Sequence, residues 1–201
     1  MKVGIYGGTF DPIHIAHLII AEHARCQFSL DRVIFVPCFI PPHKRAKAIS
    51  SANHRMAMVR LAINDYFPFS ASDIEITRPG ASYTVDSLEH FASTLGLGKE
   101  QLYLIIGADN FSDFHRWREP ERIVRLATLA VAARPGSRLR HPESIYGSTV
   151  LSLHAPLMQI SATQIRQRVR EGRSIHFLTP AAVEEYIRVN RLYLSGDAQT
   201  P

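Results

Sequence analysis

Short apolar segments alternate along this chain with longer segments in which apolar residues recur at helical spacing. The segment Leu104–Ile106 is apolar at every position, which is typical of a strand in a parallel sheet that helices cover on both faces. Strands that are separated by helices also pair in parallel. The sequence therefore predicts an α/β fold with a doubly wound parallel sheet, of the Rossmann-like type.

The predicted elements alternate over most of the chain. The predicted strands are Val3–Tyr6, Val33–Pro37, an extended segment over Phe69–Ile76, Leu102–Ile106, Thr128–Ala132 and Thr149–Leu153. The predicted helices between them are His17–Phe28, Asn53–Ile63, Thr84–Leu95 and Pro120–Leu126. Gly96 is expected to close the third of these helices.

The C-terminal part departs from this alternation. Two helices, Ala162–Glu171 and Ala181–Arg191, follow each other without an intervening strand. We therefore expect an α/β domain over residues 1–160 and a small helical C-terminal subdomain over residues 161–201, packed as one compact unit.

The charge of the chain restricts its partners. A net charge of +5 and an isoelectric point near 9.5 favour polyanions, which include nucleic acids, membrane surfaces and the phosphates of small substrates. The basic cluster Lys44–Lys47 lacks the interleaved aromatic residues of single-strand binders, and no recognition helix is evident. We expect small-molecule partners, with no nucleic acid and no membrane, while a homo-oligomer stays possible.

The expected location is cytoplasmic. No stretch approaches the roughly 18 apolar residues that a membrane span needs, and the N-terminus has no signal-peptide anatomy. Cys26 and Cys38 form no Cys-x-x-Cys pair and are too few for a disulfide framework, which fits a reducing compartment.

The segment Gly7–His17 lies where the first strand passes into the first helix, the place where open α/β sheets bind ligands. Its two glycines let the backbone approach a phosphate, and the amides at the helix start favour negative charge. His14 and His17 share one helix face and are placed to contact the same phosphate. The Gly-x-Gly-x-x-Gly and P-loop patterns are absent, which argues against a dehydrogenase and a γ-phosphate-cleaving ATPase.

A metal site is the alternative interpretation of this histidine pair. Zinc would need further ligands, and Cys26, Cys38 and His43 lie at no recognised ligand spacing. The sequence predicts no metal-binding residue.

Several other polar segments have ordinary structural explanations. Lys44 follows two prolines in a stiff loop, where a solvated lysine is the default. Ser82 or Thr84 is placed to cap the helix that follows, although an open helix start would also suit a carboxylate ligand. Ser161 is placed to cap the first C-terminal helix, and Trp117, the only tryptophan, is a packing residue by default.

The same segments, taken in order, resemble a known family. GGTFDPIHIAHL at residues 7–18 is similar to the signature of the HxGH nucleotidyltransferases, and within them to the bacterial nicotinate-nucleotide adenylyltransferases. The further matching elements are PPHK at 41–44, SYT at 82–84, GADN at 107–110 with FHRW at 114–117, and ISATQIR at 160–166. Ala16 replaces the family's usual glycine, and Ala162 replaces its second serine.

The resemblance implies an enzyme of NAD biosynthesis that transfers the adenylyl group of ATP to nicotinate mononucleotide, giving nicotinate adenine dinucleotide and pyrophosphate. Magnesium would accompany ATP and be held mainly by substrate and water. The acceptor phosphate is already an anion, so alignment and charge stabilisation suffice without a covalent enzyme intermediate. An adenylyltransferase for nicotinamide mononucleotide or phosphopantetheine, and a nucleotide-binding protein without turnover, remain alternatives.

The resemblance also assigns residues to each substrate. The catalytic residues would be His14, His17, Lys44 and Arg166. ATP would be bound by Gly7, Gly8, Thr9, Phe10, His14, His17, Gly107, Asp109, Ser161, Thr163 and Arg166, with Asp109 on the adenosine ribose. Nicotinate mononucleotide would be bound by Lys44, Tyr83, Thr84, Trp117 and Arg134, with Trp117 stacked on the pyridine ring.

Overall fold

The computed structural model describes residues 1–39, 49–78, 81–132 and 147–194. In this part of the chain, parallel strands form one sheet of six in the order β3-β2-β1-β4-β5-β6. The strands are β1 (Val3–Gly8), β2 (Arg32–Pro37), β3 (Phe69–Ala71), β4 (Leu102–Gly107), β5 (Thr128–Ala132) and β6 (Val150–Leu153). Since β1 is central and the chain winds outward on both sides of it, the predicted doubly wound fold is confirmed.

Each predicted helix lies close to its expected position, and the structure adds two short helices that the sequence did not predict, over Ile74–Thr77 and Ala108–Ser112. The helices are α1 (Ile15–Gln27), α2 (Ala52–Ile63), α3 (Ile74–Thr77), α4 (Thr84–Leu95), α5 (Ala108–Ser112), α6 (Pro120–Leu126), α7 (Ala162–Arg170) and α8 (Ala181–Val189). Helix α4 has the predicted bounds, and Gly96 ends it in the left-handed conformation with a φ of +63°. Of the helices described, none has both the length and the apolar composition that crossing a bilayer requires.

The extended segment predicted over Phe69–Ile76 is wrong in its second half, where β3 ends and the short helix α3 forms. The main-chain oxygen of Asp73 accepts a 2.9 Å hydrogen bond from the main-chain nitrogen of Thr77, which closes a helical turn. A few alternating apolar residues cannot distinguish a strand from one such turn. The turn matters for the site because it buries Glu75.

The register aligns the carboxyl ends of the central strands. Gly8 at the end of β1 pairs with Pro37 at the end of β2, and Gly107 at the end of β4 pairs with Ala132 at the end of β5. Because the strands are parallel, the segments that follow them leave the sheet at the same edge. The chain crosses to opposite sides after β1 and β4, which opens a crevice at the end of β1.

Apolar side chains form two clusters, one on each face of the sheet. One cluster includes Phe35 and Met58 together with side chains of α1, α7 and α8, and the other includes Leu88 and Ile123 of α4 and α6. Ile165 and Val183, each with 0% exposure, bring the C-terminal helices into the first cluster. The C-terminal helices therefore pack on the sheet, and a division of the chain after residue 160 stays a prediction.

Candidate active site

A cleft of about 1070 Å³ opens at the carboxyl ends of β1 and β4. Every predicted site residue that the structure describes lines this cleft: Gly7, Gly8, Thr9, Phe10, His14, His17, Tyr83, Thr84, Gly107, Asp109, Trp117, Ser161, Thr163 and Arg166. The other two predicted residues, Lys44 and Arg134, lie outside the described part of the chain. The fold thus brings together segments that are far apart in sequence.

The segment Gly7–His17, here called the first turn, carries two histidines at the start of α1. His14 is the N-cap of α1 in an extended conformation, and its main-chain nitrogen donates a 3.2 Å hydrogen bond to Nδ1 of His17. The two rings stack with centroids 3.7 Å apart. Because Nδ1 of His17 accepts a hydrogen bond, the neutral ring carries its proton on Nε2, where it can serve as a donor.

The Phe10 side chain packs in the core beneath the first turn, against the rings of His17 and Phe35. The side chain is 2% exposed, and its ring lies 5.1 Å from the ring of His17 and 5.7 Å from that of Phe35, between centroids. A Cβ atom on Gly8 would lie 2.8 Å from the Phe10 ring, so this contact requires glycine. The ring is therefore a packing element of the core.

Gly7 lacks a side chain for a different reason. A Cβ atom at this position would meet no protein atom within 4 Å, and Gly7 lines the cleft. The space above Gly7 is thus left open to a ligand that approaches the backbone closely.

The start of α4 is open toward the cleft. Its N-cap residue is Tyr83, which makes no side-chain capping hydrogen bond, so the predicted capping by Ser82 or Thr84 is wrong. The Ser82 hydroxyl instead accepts a 3.0 Å hydrogen bond from the main-chain nitrogen of Phe39. The first amides of α4 therefore keep their capacity to bind an anion.

Aromatic side chains surround this helix start. The half-buried Trp117 ring packs 5.3 Å from the Phe114 ring, between centroids, and Trp117 lines the cleft. The Arg118 guanidinium lies 4.6 Å from the centroid of the Tyr83 ring, at cation–π distance. This end of the cleft combines a flat apolar surface with positive charge.

The start of α7 is capped as the sequence predicts. The Ser161 hydroxyl accepts a 3.2 Å hydrogen bond from the main-chain nitrogen of Gln164. Arg166 donates one hydrogen bond of 3.3 Å to the Thr163 hydroxyl and another of 2.7 Å to the main-chain oxygen of Asp11. Helix α7 is thereby joined to the first turn.

At the end of β4, Gly107 is the extended N-cap of α5, and the exposed Asp109 follows in the first turn of that helix. Its carboxylate lines the cleft and has the chemistry to accept hydrogen bonds from hydroxyl groups of a sugar. Among the described residues, no group of three or more His, Cys, Asp or Glu side chains is arranged to hold a metal ion.

Residues 5–168 match the model of the cytidylyltransferase-like family. A relative from Roseiflexus sp. (strain RS-1) is 44% identical over 95% of this chain and 97% of its own length. Another, from Desulfatibacillum aliphaticivorans, is 41% identical over 96% of this chain and 100% of its own length, and both carry the name probable nicotinate-nucleotide adenylyltransferase. The chain belongs to the nicotinate-nucleotide adenylyltransferase family.

Solved structures show the same fold as this member of the nicotinate-nucleotide adenylyltransferase family. Plasmodium falciparum nicotinic acid mononucleotide adenylyltransferase complexed with NaAD has a TM-score of 0.80 at 20% identity, covering 96% of this chain and 97% of that one. The same protein complexed with APC gives a TM-score of 0.79 at 20% identity, covering 96% of each chain.

Arg55 is a residue of the site that was not predicted from the sequence, and its hydrogen bonds hold the first turn in place. Its side chain is 1% exposed and donates to four main-chain oxygens, at 3.0 Å to Thr9, 2.6 Å to Cys38, 2.9 Å to Phe39 and 3.0 Å to Ser50. The guanidinium thus joins the turn after β1 to the two flanks of the segment after β2. The sequence did contain one indication of this role, because Arg55 lies on the apolar side of a predicted helix, where a charged residue needs buried partners.

The Asp11 carboxylate forms a second brace that the sequence did not reveal. It is 3% exposed and accepts hydrogen bonds of 2.7 Å from the Tyr193 hydroxyl and 3.2 Å from the main-chain nitrogen of Ser50. Burial and the neighbouring Asp11 carboxylate raise the pKa of Tyr193 far above its usual range, so the phenol stays a donor. No pattern in the sequence links these two residues.

Proposed function

We propose that this chain transfers the adenylyl group of ATP to nicotinate mononucleotide in NAD biosynthesis, releasing pyrophosphate and forming nicotinate adenine dinucleotide. One observation carries the proposal. In a chain of the nicotinate-nucleotide adenylyltransferase family, every described residue assigned to either substrate lines the same cleft. The neighbouring Plasmodium falciparum protein is known with NaAD, the corresponding product, and with APC.

The acceptor phosphate is the nucleophile in this reaction. One of its oxygens forms a bond to the α-phosphorus of ATP, and the bond from that phosphorus to the bridging oxygen of pyrophosphate breaks, with its electron pair leaving on pyrophosphate. No proton transfer is needed. The enzyme contributes by aligning two anions and by stabilising the charge that grows on the α-phosphate and leaving-group oxygens.

His17 and Arg166 supply this stabilisation. His17 presents the proton on Nε2 as a donor, because its Nδ1 atom is engaged by the main-chain nitrogen of His14. Arg166 adds a fixed cation, held by its hydrogen bonds to Asp11 and Thr163. Lys44 is proposed as a further phosphate ligand on the resemblance alone, and Arg134 likewise.

The ATP site is proposed along the ends of β1, β4 and α7. The open space above Gly7 admits a phosphate, and Asp109 accepts hydrogen bonds from the adenosine ribose. Ser161 and Thr163, at the start of α7, also line the cleft. Ser161 binds Gln164 through its oxygen, which leaves its proton for a phosphate oxygen.

The acceptor site is proposed at the start of α4. The open amides after Tyr83 suit the pyridine carboxylate, and the Trp117 face suits the ring. An amide in place of the carboxylate would bring an NH₂ donor against N–H donors, so nicotinamide mononucleotide is expected to bind less well.

Magnesium enters as part of the substrate MgATP, where phosphate oxygens and water would hold it. When bound, the ion shields the phosphate oxygens and favours departure of pyrophosphate. We also propose a cytoplasmic location, which the sequence predicts.

The reaction is tested by following ATP labelled on the α-phosphate in the presence of magnesium and nicotinate mononucleotide. We expect the label to enter a dinucleotide product in equal amount to the pyrophosphate released, and a chelator to abolish both. Label that stays in ATP while the protein still binds nucleotide would support the non-catalytic alternative instead.

A further inference from the structure

Glu75 is a buried carboxyl group that the mechanism above does not use. It lies in α3, is 7% exposed and lines the cleft beside Ser82, Tyr83 and Thr84. Carboxyl groups are rarely buried without a partner, because the loss of hydration is costly. The position of Glu75 at one end of the cleft therefore needs an explanation.

Glu75 is joined to the first turns of α4. Its Oε1 atom accepts a 2.7 Å hydrogen bond from the Ser87 hydroxyl, and Ser87 is itself buried at 1% exposure. One carboxyl group of α3 thus holds the first turns of α4 in position.

The start of this helix has no side-chain cap. The Ser82 hydroxyl accepts a hydrogen bond from the main-chain nitrogen of Phe39, which lies outside the helix. Ser82 therefore does not cap the amides of α4. Tyr83 takes the N-cap position without a capping side chain.

The electrostatic state of Glu75 also bears on an anionic ligand. Burial raises the pKa of Glu75, while its hydrogen bond from Ser87 and the charge of Arg78 act in the opposite direction, and Asp86 raises it further. The raised pKa favours the neutral acid. A neutral group next to the helix start does not repel a ligand carboxylate.

We propose that Glu75 is a positioning residue that sets acceptor specificity: by holding Ser87, it keeps the uncapped first amides of α4 in place for an acceptor that bears a carboxylate. This inference rests on the proposed function. It assigns to Glu75 an effect on the acceptor site and none on the ATP site, which lies along other strands.

Steady-state kinetics of E75A, E75Q and S87A test the proposal, with T77A as the control. Thr77 lies on the same helix, and its hydroxyl donates only to main-chain oxygens of that helix, at Asp73 and Ile74. We expect E75A to raise KM for nicotinate mononucleotide about tenfold and to reduce its preference over nicotinamide mononucleotide, with KM for ATP within about twofold of the parent. E75Q keeps a neutral group with an acceptor oxygen and should stay within about threefold of the parent.

The outcomes separate the two proposals. A parent protein that forms no dinucleotide overturns the proposed function and this inference with it. With an active parent, equal changes in both KM values for E75A, or no change in acceptor preference, overturn the inference alone. An E75Q protein that is as impaired as E75A also overturns the inference, because the glutamine amide keeps the oxygen that accepts the hydrogen bond from Ser87.

If E75A does not fold, S87A decides. It removes the hydroxyl partner of Glu75 and should raise KM for nicotinate mononucleotide about threefold without affecting KM for ATP. An S87A protein with parental kinetics for both substrates would contradict the inference. T77A should match the parent for both substrates and in acceptor preference, and a KM change in T77A like that of E75A would mean that α3 acts through general packing.

Discussion

Arg166 donates a 2.7 Å hydrogen bond to the main-chain oxygen of Asp11, although 155 positions separate the two residues. The bond joins the start of α7 to the turn after β1, the two segments that the ATP phosphates would contact. Helix α7 thereby becomes a wall of the cleft whose distance from the first turn is fixed. This geometry favours a reaction that depends on alignment.

His17→Ala should lower turnover by about 10²- to 10³-fold, because it removes one donor to the transition state. His23→Ala is the matched control, since His23 lies on the same helix and its ring contacts the main-chain oxygen of His154 outside the cleft. Turnover is measured by pyrophosphate release, and the thermal midpoint of each variant shows that it is folded. A near-parental rate for His17→Ala would remove this residue from the mechanism.

The two glycines of the first turn should respond differently to substitution by alanine. Gly8→Ala places a methyl group 2.8 Å from the Phe10 ring and should reduce the free energy of unfolding by about 1–3 kcal/mol. Gly7→Ala meets no protein atom within 4 Å and should leave the free energy of unfolding nearly unchanged, yet raise KM for ATP about tenfold by occupying ligand space. Urea unfolding and kinetics of the pair measure both effects, and an unchanged KM for Gly7→Ala argues against phosphate binding there.

Arg55→Lys should destabilise the protein although it preserves the charge. An ammonium group cannot reach the four main-chain oxygens that the guanidinium contacts, and unpaired buried carbonyls should lower the free energy of unfolding by about 2–4 kcal/mol. Arg60→Lys on the same helix, where the side chain is 62% exposed, should have little effect. Equal stability of the two variants in urea would show that the Arg55 contacts contribute little.

Tyr193→Phe should alter the dependence of stability on alkaline pH. The folded-state pKa of Tyr193 is raised, so its contribution is complete below its unfolded pKa of about 10 and is lost as the pH rises through the folded value. The parent should therefore lose more free energy of unfolding than the variant between pH 8 and about pH 11, measured by urea unfolding. Parallel curves for the two proteins would contradict a buried Tyr193–Asp11 hydrogen bond.

The elements that the sequence predicted well are those with local signals. Helix α4 combines apolar residues at helical spacing with Gly96 at its end, so both its period and its termination can be read without the fold. The order of motifs likewise predicted the cleft, because residues after parallel strands meet at one edge of the sheet.

The elements that were missed depend on tertiary contacts. Ser82 is placed as a capping residue in the sequence, but in the fold its hydroxyl accepts a hydrogen bond from the main-chain nitrogen of Phe39. The sequence predicted an extended segment where the helical turn of Glu75 forms. Three or four residues carry too little periodicity to distinguish the two. Asp11 and Tyr193 are 182 positions apart, so no local pattern in the sequence predicts their contact.

The most direct test of the proposed activity compares acceptors in one assay of pyrophosphate release, with MgATP and with nicotinate mononucleotide, nicotinamide mononucleotide or phosphopantetheine. We expect kcat/KM to be highest for nicotinate mononucleotide, by about tenfold or more over nicotinamide mononucleotide, because the open start of α4 matches a carboxylate. A higher kcat/KM for either of the other acceptors would contradict the assignment of the acceptor site, and no release with any of them would contradict adenylyl transfer itself.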